Sequence, residues 1–152
     1  MALDIPLILD RLNYRYPSLL LDSVVEHLPG ERIVAVKNVT VNEEYFQGHF
    51  PGTPLMPGVM MIETLVQVAS LLLLDDGADF PTRRAFLLGV NDAKFRRQVV
   101  PGDRLRLEVT LDRERDDTAI ARGVATVSER MVAEAELILG FEIADAEIDP
   151  KA

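Results

Sequence analysis

The sequence predicts an α+β domain, a curved antiparallel sheet of about five or six strands wrapped round one long central helix. Three observations carry this. Gly58–Leu74 is a single apolar run too long for a strand. Leu105, Leu107, Val109 and Leu111 alternate with Arg106, Glu108 and Thr110, the period of a half-buried strand. The remaining strand-like segments are separated by short polar or Pro/Gly turns, which join antiparallel neighbours and cannot serve as crossovers.

In chain order, residues 18–27 are apolar and β-branched, and Pro29-Gly30-Glu31 is a turn signal before the valine-rich arm 32–41. Gly58–Leu74 is apolar on nearly every side, as in a helix buried on most faces. Pro57 marks its start and Asp75-Asp76-Gly77 its end. Residues 84–95 read as a further strand. Pro101-Gly102-Asp103 then turns the chain into the alternating segment that begins at Arg104. Thr118–Val127 and residues 131–141 continue it, with Arg115-Asp116-Asp117 and Ser128-Glu129-Arg130 as hairpin separators.

The chain has 152 residues, enough for one domain with a real core, and we expect a single domain over residues 1–143. The acidic segment 144–152 contains Pro150, lacks periodicity and is expected to fray. Internal repeats and low-complexity stretches are absent from the sequence. There is no cysteine, so disulfides, thiolate metal sites and a cysteine nucleophile are excluded. Residues 1–11 lack the basic start and apolar run of a signal peptide. The longest apolar stretch, residues 66–74, is far short of the roughly 20 residues that span a bilayer. A soluble, cytoplasmic protein with no membrane association is expected. The net charge of −9 argues against general nucleic-acid binding, which needs a basic surface. Lys94, Arg96 and Arg97 are a local exception, suited to an anionic partner or to a solvated loop.

Chemistry concentrates in residues 45–63. Pro51, Gly52, Pro54 and Pro57 stiffen an otherwise apolar loop, since proline fixes φ and removes a donor. The loop carries His49, one of two histidines in the chain and a natural general base near neutral pH. Glu63 sits early in the helix among Met60, Met61, Ile62, Leu65 and Val66. A carboxylate there is costly unless paired, which suits a general acid at neutral pH. Glu63, Gln67 and Ser70 fall at i, i+4 and i+7, one polar stripe on a greasy helix. Such a stripe points to a cavity or a subunit interface, and Gln67 is placed to orient the Glu63 carboxyl. At Gly58 the helix start offers free backbone N–H groups and its positive dipole end, and glycine admits a ligand closely. Such an end suits a thioester carbonyl and the enolate formed from it, and is equally a simple helix N-terminus with no ligand.

The run Gly48-His49-Phe50-Pro51-Gly52, Pro54, Met56-Pro57-Gly58-Val59, then Ile62-Glu63 and Gln67, closely resembles the 3-hydroxyacyl-acyl carrier protein dehydratases of type II fatty acid synthesis. The resemblance extends through Arg15-Tyr16-Pro17, Leu19-Leu20-Leu21-Asp22, Lys37-Asn38-Val39-Thr40, Phe95-Arg96-Arg97 and Val99-Val100-Pro101-Gly102-Asp103, and covers about residues 5–141. It implies a hot-dog fold and a homodimer, often assembled as a trimer of dimers. It implies His49 of one subunit as base facing Glu63 of the other as acid, with the Gly58 N–H holding the substrate carbonyl. The implied reaction is reversible loss of water from a (3R)-3-hydroxyacyl thioester to give the trans-2-enoyl product, without metal or redox cofactor. The acyl group rides on the phosphopantetheine of acyl carrier protein, for which Lys94, Arg96 and Arg97 form a docking patch.

The chain departs from the family pattern at Asn13-Tyr14, usually Pro-His, and at Asn91-Asp92, often Asp-Lys. Ala69 and Ser70 stand where two small residues, commonly glycines, follow the helix glutamine. None of these departures is expected to touch the proton-transfer pair. Two rivals stay open at this stage. One is another enzyme on the fold, an (R)-specific enoyl-CoA hydratase or a thioesterase. The other is a non-catalytic acyl-binding subunit of a hot-dog hetero-oligomer.

Overall fold

Residues 2–74 and 83–143 are described in a computed structural model. The acidic segment 144–152 and the stop signal at Asp75-Asp76-Gly77 lie outside them. The elements follow as α1 (Ile5–Arg11), β1 (Ser23–Leu28), β2 (Arg32–Asn38), α2 (Gly58–Leu74), β3 (Arg83–Phe95), β4 (Arg104–Glu114), β5 (Thr118–Val127) and β6 (Arg130–Ile143). A single 3-10 turn, Glu44–Gln47, stands between β2 and α2.

The strands form one antiparallel sheet in the order β1-β2-β4-β5-β6-β3. Its inner face packs on α2, which touches β2, β3, β4, β5 and β6. This is the expected hot-dog arrangement. The alternation in β4 has its predicted consequence, with Leu105, Leu107 and Val109 fully buried against the helix. All of α2 from Thr64 to Leu74 is buried, including Gln67 and Ser70. The helix sits close because β5 places Gly123 beneath it. A Cβ at Gly123 would lie 3.1 Å from Leu65 Cδ1. Register shifts at Leu87/Gly89 and Asn91/Lys94 interrupt β3, with Asp92 at φ 51 inside the second. Such bulges bend a strand and raise its twist, which helps it follow the helix.

Two segments differ from the sequence reading. Helix α1 was not anticipated: Asp4 caps it by accepting from Leu7 N–H, and Pro6 occupies its first turn. Residues 18–22, read as the start of a strand, are not strand. Their backbone partners include a side chain of α2: Leu20 N–H donates to Gln67 Oε1 at 2.9 Å.

Candidate active site

The loop before α2 is cross-tied at nearly every residue. His49 N–H donates to Tyr45 O at 3.0 Å, and Leu55 N–H to His49 O at 2.9 Å. Phe50 and Thr53 exchange backbone bonds of 2.9 and 2.8 Å, closing a tight turn. Met56 N–H reaches Val99 O at 2.8 Å and sews the loop to the segment after β3. Ahead of the loop, buried Lys37 on β2 pairs with the Glu43 carboxylate. Glu43 O in turn accepts Phe46 N–H of the 3-10 turn at 3.1 Å.

This scaffold orients the His49 ring. Nδ1 lies 2.6 Å from Leu55 O. A carbonyl oxygen only accepts, so Nδ1 carries a hydrogen, and in the neutral ring the lone pair belongs to Nε2. Phe50 covers the ring, with centroids 3.9 Å apart. His49 is half-buried and opens into a cavity of about 480 Å³ lined also by Leu55, Met56, Gly58, Val59, Met61, Phe95 and Arg96–Gln98. His27, the other histidine, is buried on β1, away from this cavity.

Gly58 stands at the N-terminus of α2 and faces the same cavity. The first N–H groups of a helix have no intrahelical partner, so this end presents donors beside His49. The absence of a side chain here leaves the present place of Phe95 free: a Cβ at Gly58 would meet that ring at 2.9 Å unless the ring moved.

Glu63 lies on another face of α2, about 140° round the axis from Gly58 and about 7.5 Å along it by helix geometry. Its carboxyl does not line the His49 cavity. Gln67 Nε2 donates to Glu63 Oε1 at 3.1 Å and to Ser18 O at 2.8 Å, while Gln67 Oε1 accepts Leu20 N–H. The expected role of Gln67 in holding Glu63 is therefore observed as a contact. Ser70 Oγ is committed to Val66 O at 2.8 Å.

The reading that the departures leave His49 and Glu63 untouched does not hold for Tyr14. Its phenol is pushed up to about 12, chiefly by burial and then by the nearby Glu63 carboxylate. This proximity spans 49 positions of sequence, and only the unusual residue at position 14 hinted at it. The basic trio is exposed as expected. Arg96 and Arg97 rim the His49 cavity, while Lys94 points from β3. Arg96 also pairs with Glu134 at 3.1 Å.

Residues 12–136 match the family model of a FabA-like domain. The chain belongs to the FabA-like family. Among its FabA-like relatives is the 3-hydroxyacyl-acyl-carrier-protein dehydratase FabZ of Enterococcus faecalis, 53% identical over 137 residues, or 90% of this chain and 96% of that protein. Its namesake from Bordetella petrii is 44% identical over 151 residues, 96% of this chain and 100% of that one. Among solved structures, the dehydratase heterocomplex ApeI:P from Xenorhabdus doucetiae shares the fold, with a TM-score of 0.71 at 14% identity over 88% of this chain and 89% of that one. The resemblance carried by residues 48–63 is thus confirmed at the level of the family.

Proposed function

We propose that this FabA-like protein is a hydro-lyase that removes water from (3R)-3-hydroxyacyl-acyl carrier protein, giving the trans-2-enoyl thioester in fatty acid synthesis. His49 acts as base, Glu63 as acid, and the Gly58 N–H holds the thioester carbonyl. The observation that carries the proposal is the bond between His49 Nδ1 and Leu55 O, because it leaves Nε2 as the lone-pair nitrogen of the neutral ring in a cavity that also receives a helix N-terminus.

The chemistry follows from that geometry. The thioester acidifies the α-proton, and Nε2 removes it as negative charge moves onto the carbonyl oxygen. Donors at the start of α2 stabilise that charge as it forms. The enolate collapses to the C=C bond, the C–O bond at the β-carbon breaks, and the hydroxyl leaves as water with a proton from Glu63. A proton passed from His49 to Glu63 resets the pair. Every step is reversible, so the enzyme also hydrates enoyl thioesters.

Within one chain the base and the acid open on different surfaces, which supports a site shared by two copies. β3 is an edge strand of the sheet, and it exposes Phe86, Leu88 and Val90. An unpaired edge with apolar side chains is a surface for a second chain. We place His49 of one subunit against Glu63 of its partner in a homodimer, with trimers of dimers as the larger assembly. Arg96 and Arg97 at the cavity rim, with the exposed Lys94 of β3, suit an acidic carrier protein. Cytoplasmic location follows from that partner.

The test is hydration of crotonyl thioesters, followed by loss of enoyl absorbance, on carrier protein and on coenzyme A in parallel. His49→Ala and Glu63→Gln each lower the rate at least about a hundredfold, as for a positioned acid or base. Mixing the two variants under subunit exchange restores about a quarter of wild-type activity, since a two-fold dimer then keeps one intact site in half of its copies. Full activity in either variant would remove that residue from the mechanism. Mixing without recovery would place both groups in one chain. Turnover favouring coenzyme A would replace the carrier protein as substrate.

A further inference from the structure

Lys37 is a charge in the core. It follows Ile33 and Ala35 on the inner face of β2, stands opposite the fully buried Leu105 of β4, and is itself buried. A buried ammonium is costly unless paired. Its partner is the carboxylate of Glu43, the residue at which the 3-10 turn begins. That carboxylate makes no capping bond to its own turn and is spent on Lys37 instead. Its other oxygen is buried and has no hydrogen-bond partner among the described residues. The Glu43 backbone closes the turn: its O accepts Phe46 N–H at 3.1 Å, and its N–H donates to Thr40 O at 3.4 Å. Toward the far end, Tyr45 O accepts His49 N–H at 3.0 Å. Within one chain, packing holds this turn on one side only. Phe46 is buried in the core, whereas a cavity of about 630 Å³, lined also by Leu19, Leu20 and Met60, opens beside Glu43 and Tyr45.

We propose that the buried Lys37–Glu43 pair is a positioning device for His49: it ties the start of the 3-10 turn to the sheet, and the turn carries that constraint to the residue proposed as base. The inference rests on His49 being the base. Every link is a directional bond. Lys37 Nζ holds the Glu43 carboxylate, Glu43 O holds Phe46 N–H, and Tyr45 O holds the backbone on which the His49 ring is mounted. The bond to Leu55 O fixes how the ring is turned, and the pair fixes where its backbone stands. Apolar side chains in place of Lys37 and Glu43 would fill the space and often stabilise as much, without fixing a direction. The device acts on the chemical step, because a base displaced by about 1 Å loses rate even when substrate binds as before. Substrate binding is left to the Gly58 end of the cavity, which belongs to α2 and not to the turn.

The test is crotonyl-thioester hydration, with kcat and KM measured separately and Tm in parallel, for Glu43→Gln and for the double variant Lys37→Met/Glu43→Leu, each also in a His49→Ala background. Glu43→Gln keeps the bond and loses the compensating charge, since its amide oxygen still accepts from Lys37 Nζ. Its Tm falls, while kcat stays within about threefold of wild type. Lys37→Met/Glu43→Leu removes both charges and the bond. Its Tm exceeds that of Glu43→Gln, yet its kcat falls about tenfold or more with KM nearly unchanged. Rate thus follows the bond and not the stability. In the His49→Ala background the double replacement costs nothing further, because its effect runs through His49. Full kcat in Lys37→Met/Glu43→Leu, a kcat that follows Tm across the variants, a loss confined to KM, or an equal further loss in the His49→Ala background each overturns the proposal. Full activity of His49→Ala alone would instead overturn the assignment of the base.

Discussion

Gln67 is the residue whose replacement links stability to the site most directly. Its side chain is fully buried and makes three bonds: it accepts Leu20 N–H at 2.9 Å, donates to Ser18 O at 2.8 Å and donates to Glu63 Oε1 at 3.1 Å. Gln67→Leu keeps volume and removes all three. Leu20 N–H is then a buried donor without a partner, at about 1–3 kcal/mol. Ser18 is exposed, so water replaces much of its lost bond. The sum is about 2–3 kcal/mol, which for a domain of this size lowers Tm by roughly 4–12 °C. Gln67→Glu separates the two roles. It keeps an acceptor for Leu20 N–H but turns the donor to Glu63 into a carboxylate facing a carboxylate. Its Tm falls too, and its kcat falls further than that of Gln67→Leu. Thermal unfolding by circular dichroism at one protein concentration, together with thioester hydration, reads both quantities. A Gln67→Leu protein with unchanged Tm would refute the claim that this side chain replaces a strand partner for residues 18–20.

Two further outcomes are expected. Glu108 accepts from Arg32 Nε at 2.9 Å and from Arg106 Nη1 at 2.7 Å. Its carboxyl is held down to about 2, first by the Arg32 bond, which outweighs burial, and then by Arg106. The folded value lies below the unfolded one, so the stabilisation is full above pH 4.5 and is lost as pH falls toward 2. Glu108→Gln flattens the acid limb of Tm against pH over that window, by about 1 kcal/mol after discounting for the partial exposure of the group. Gly58→Ala drives a methyl against the Phe95 ring, which is half-exposed and swings aside. Stability then changes by less than about 1 kcal/mol, while hydration falls about tenfold or more because the carbonyl site is crowded. Equal activity of glycine and alanine at this position would remove the close approach from the mechanism.

Local chemistry made the centre of the fold legible. Gly58–Leu74 reads as a buried helix because it is apolar all round behind a proline, and its observed bounds are the predicted ones. Thr118–Val127 is found between the polar separators that predicted it. Helix α1 escaped because seven residues with only Ile8 buried carry no period, although its start signal, Asp4 before Pro6, stood in the sequence. Residues 18–22 misled for a different reason. Their apolar, extended character is real, but β1 enters the sheet only at Ser23, and Leu20 bonds a glutamine 47 positions away. Composition cannot distinguish a strand from an extended segment bonded to a side chain. The same limit applies to the site. The motif residues His49, Gly58, Glu63 and Gln67 are close in sequence and readable there. The proximity of Tyr14 to Glu63 depends on the path of the chain across α2.

The division of α2 into two chemical sectors places different demands on its residues. One end must be free of side-chain bulk, so that donors at Gly58 reach the His49 cavity beneath Phe95. One stripe must be polar, so that Glu63 is held by Gln67. The rest must be apolar, because the sheet surrounds it from β2 to β6. A helix meeting these demands cannot also turn Glu63 toward its own His49, since the rotation that brought the stripe round would expose Leu65 and lift it from Gly123. Packing thus sets the direction in which the Glu63 carboxyl points. In the proposed homodimer, a second copy docked at the β3 edge would supply His49 to that face without disturbing the core of either chain.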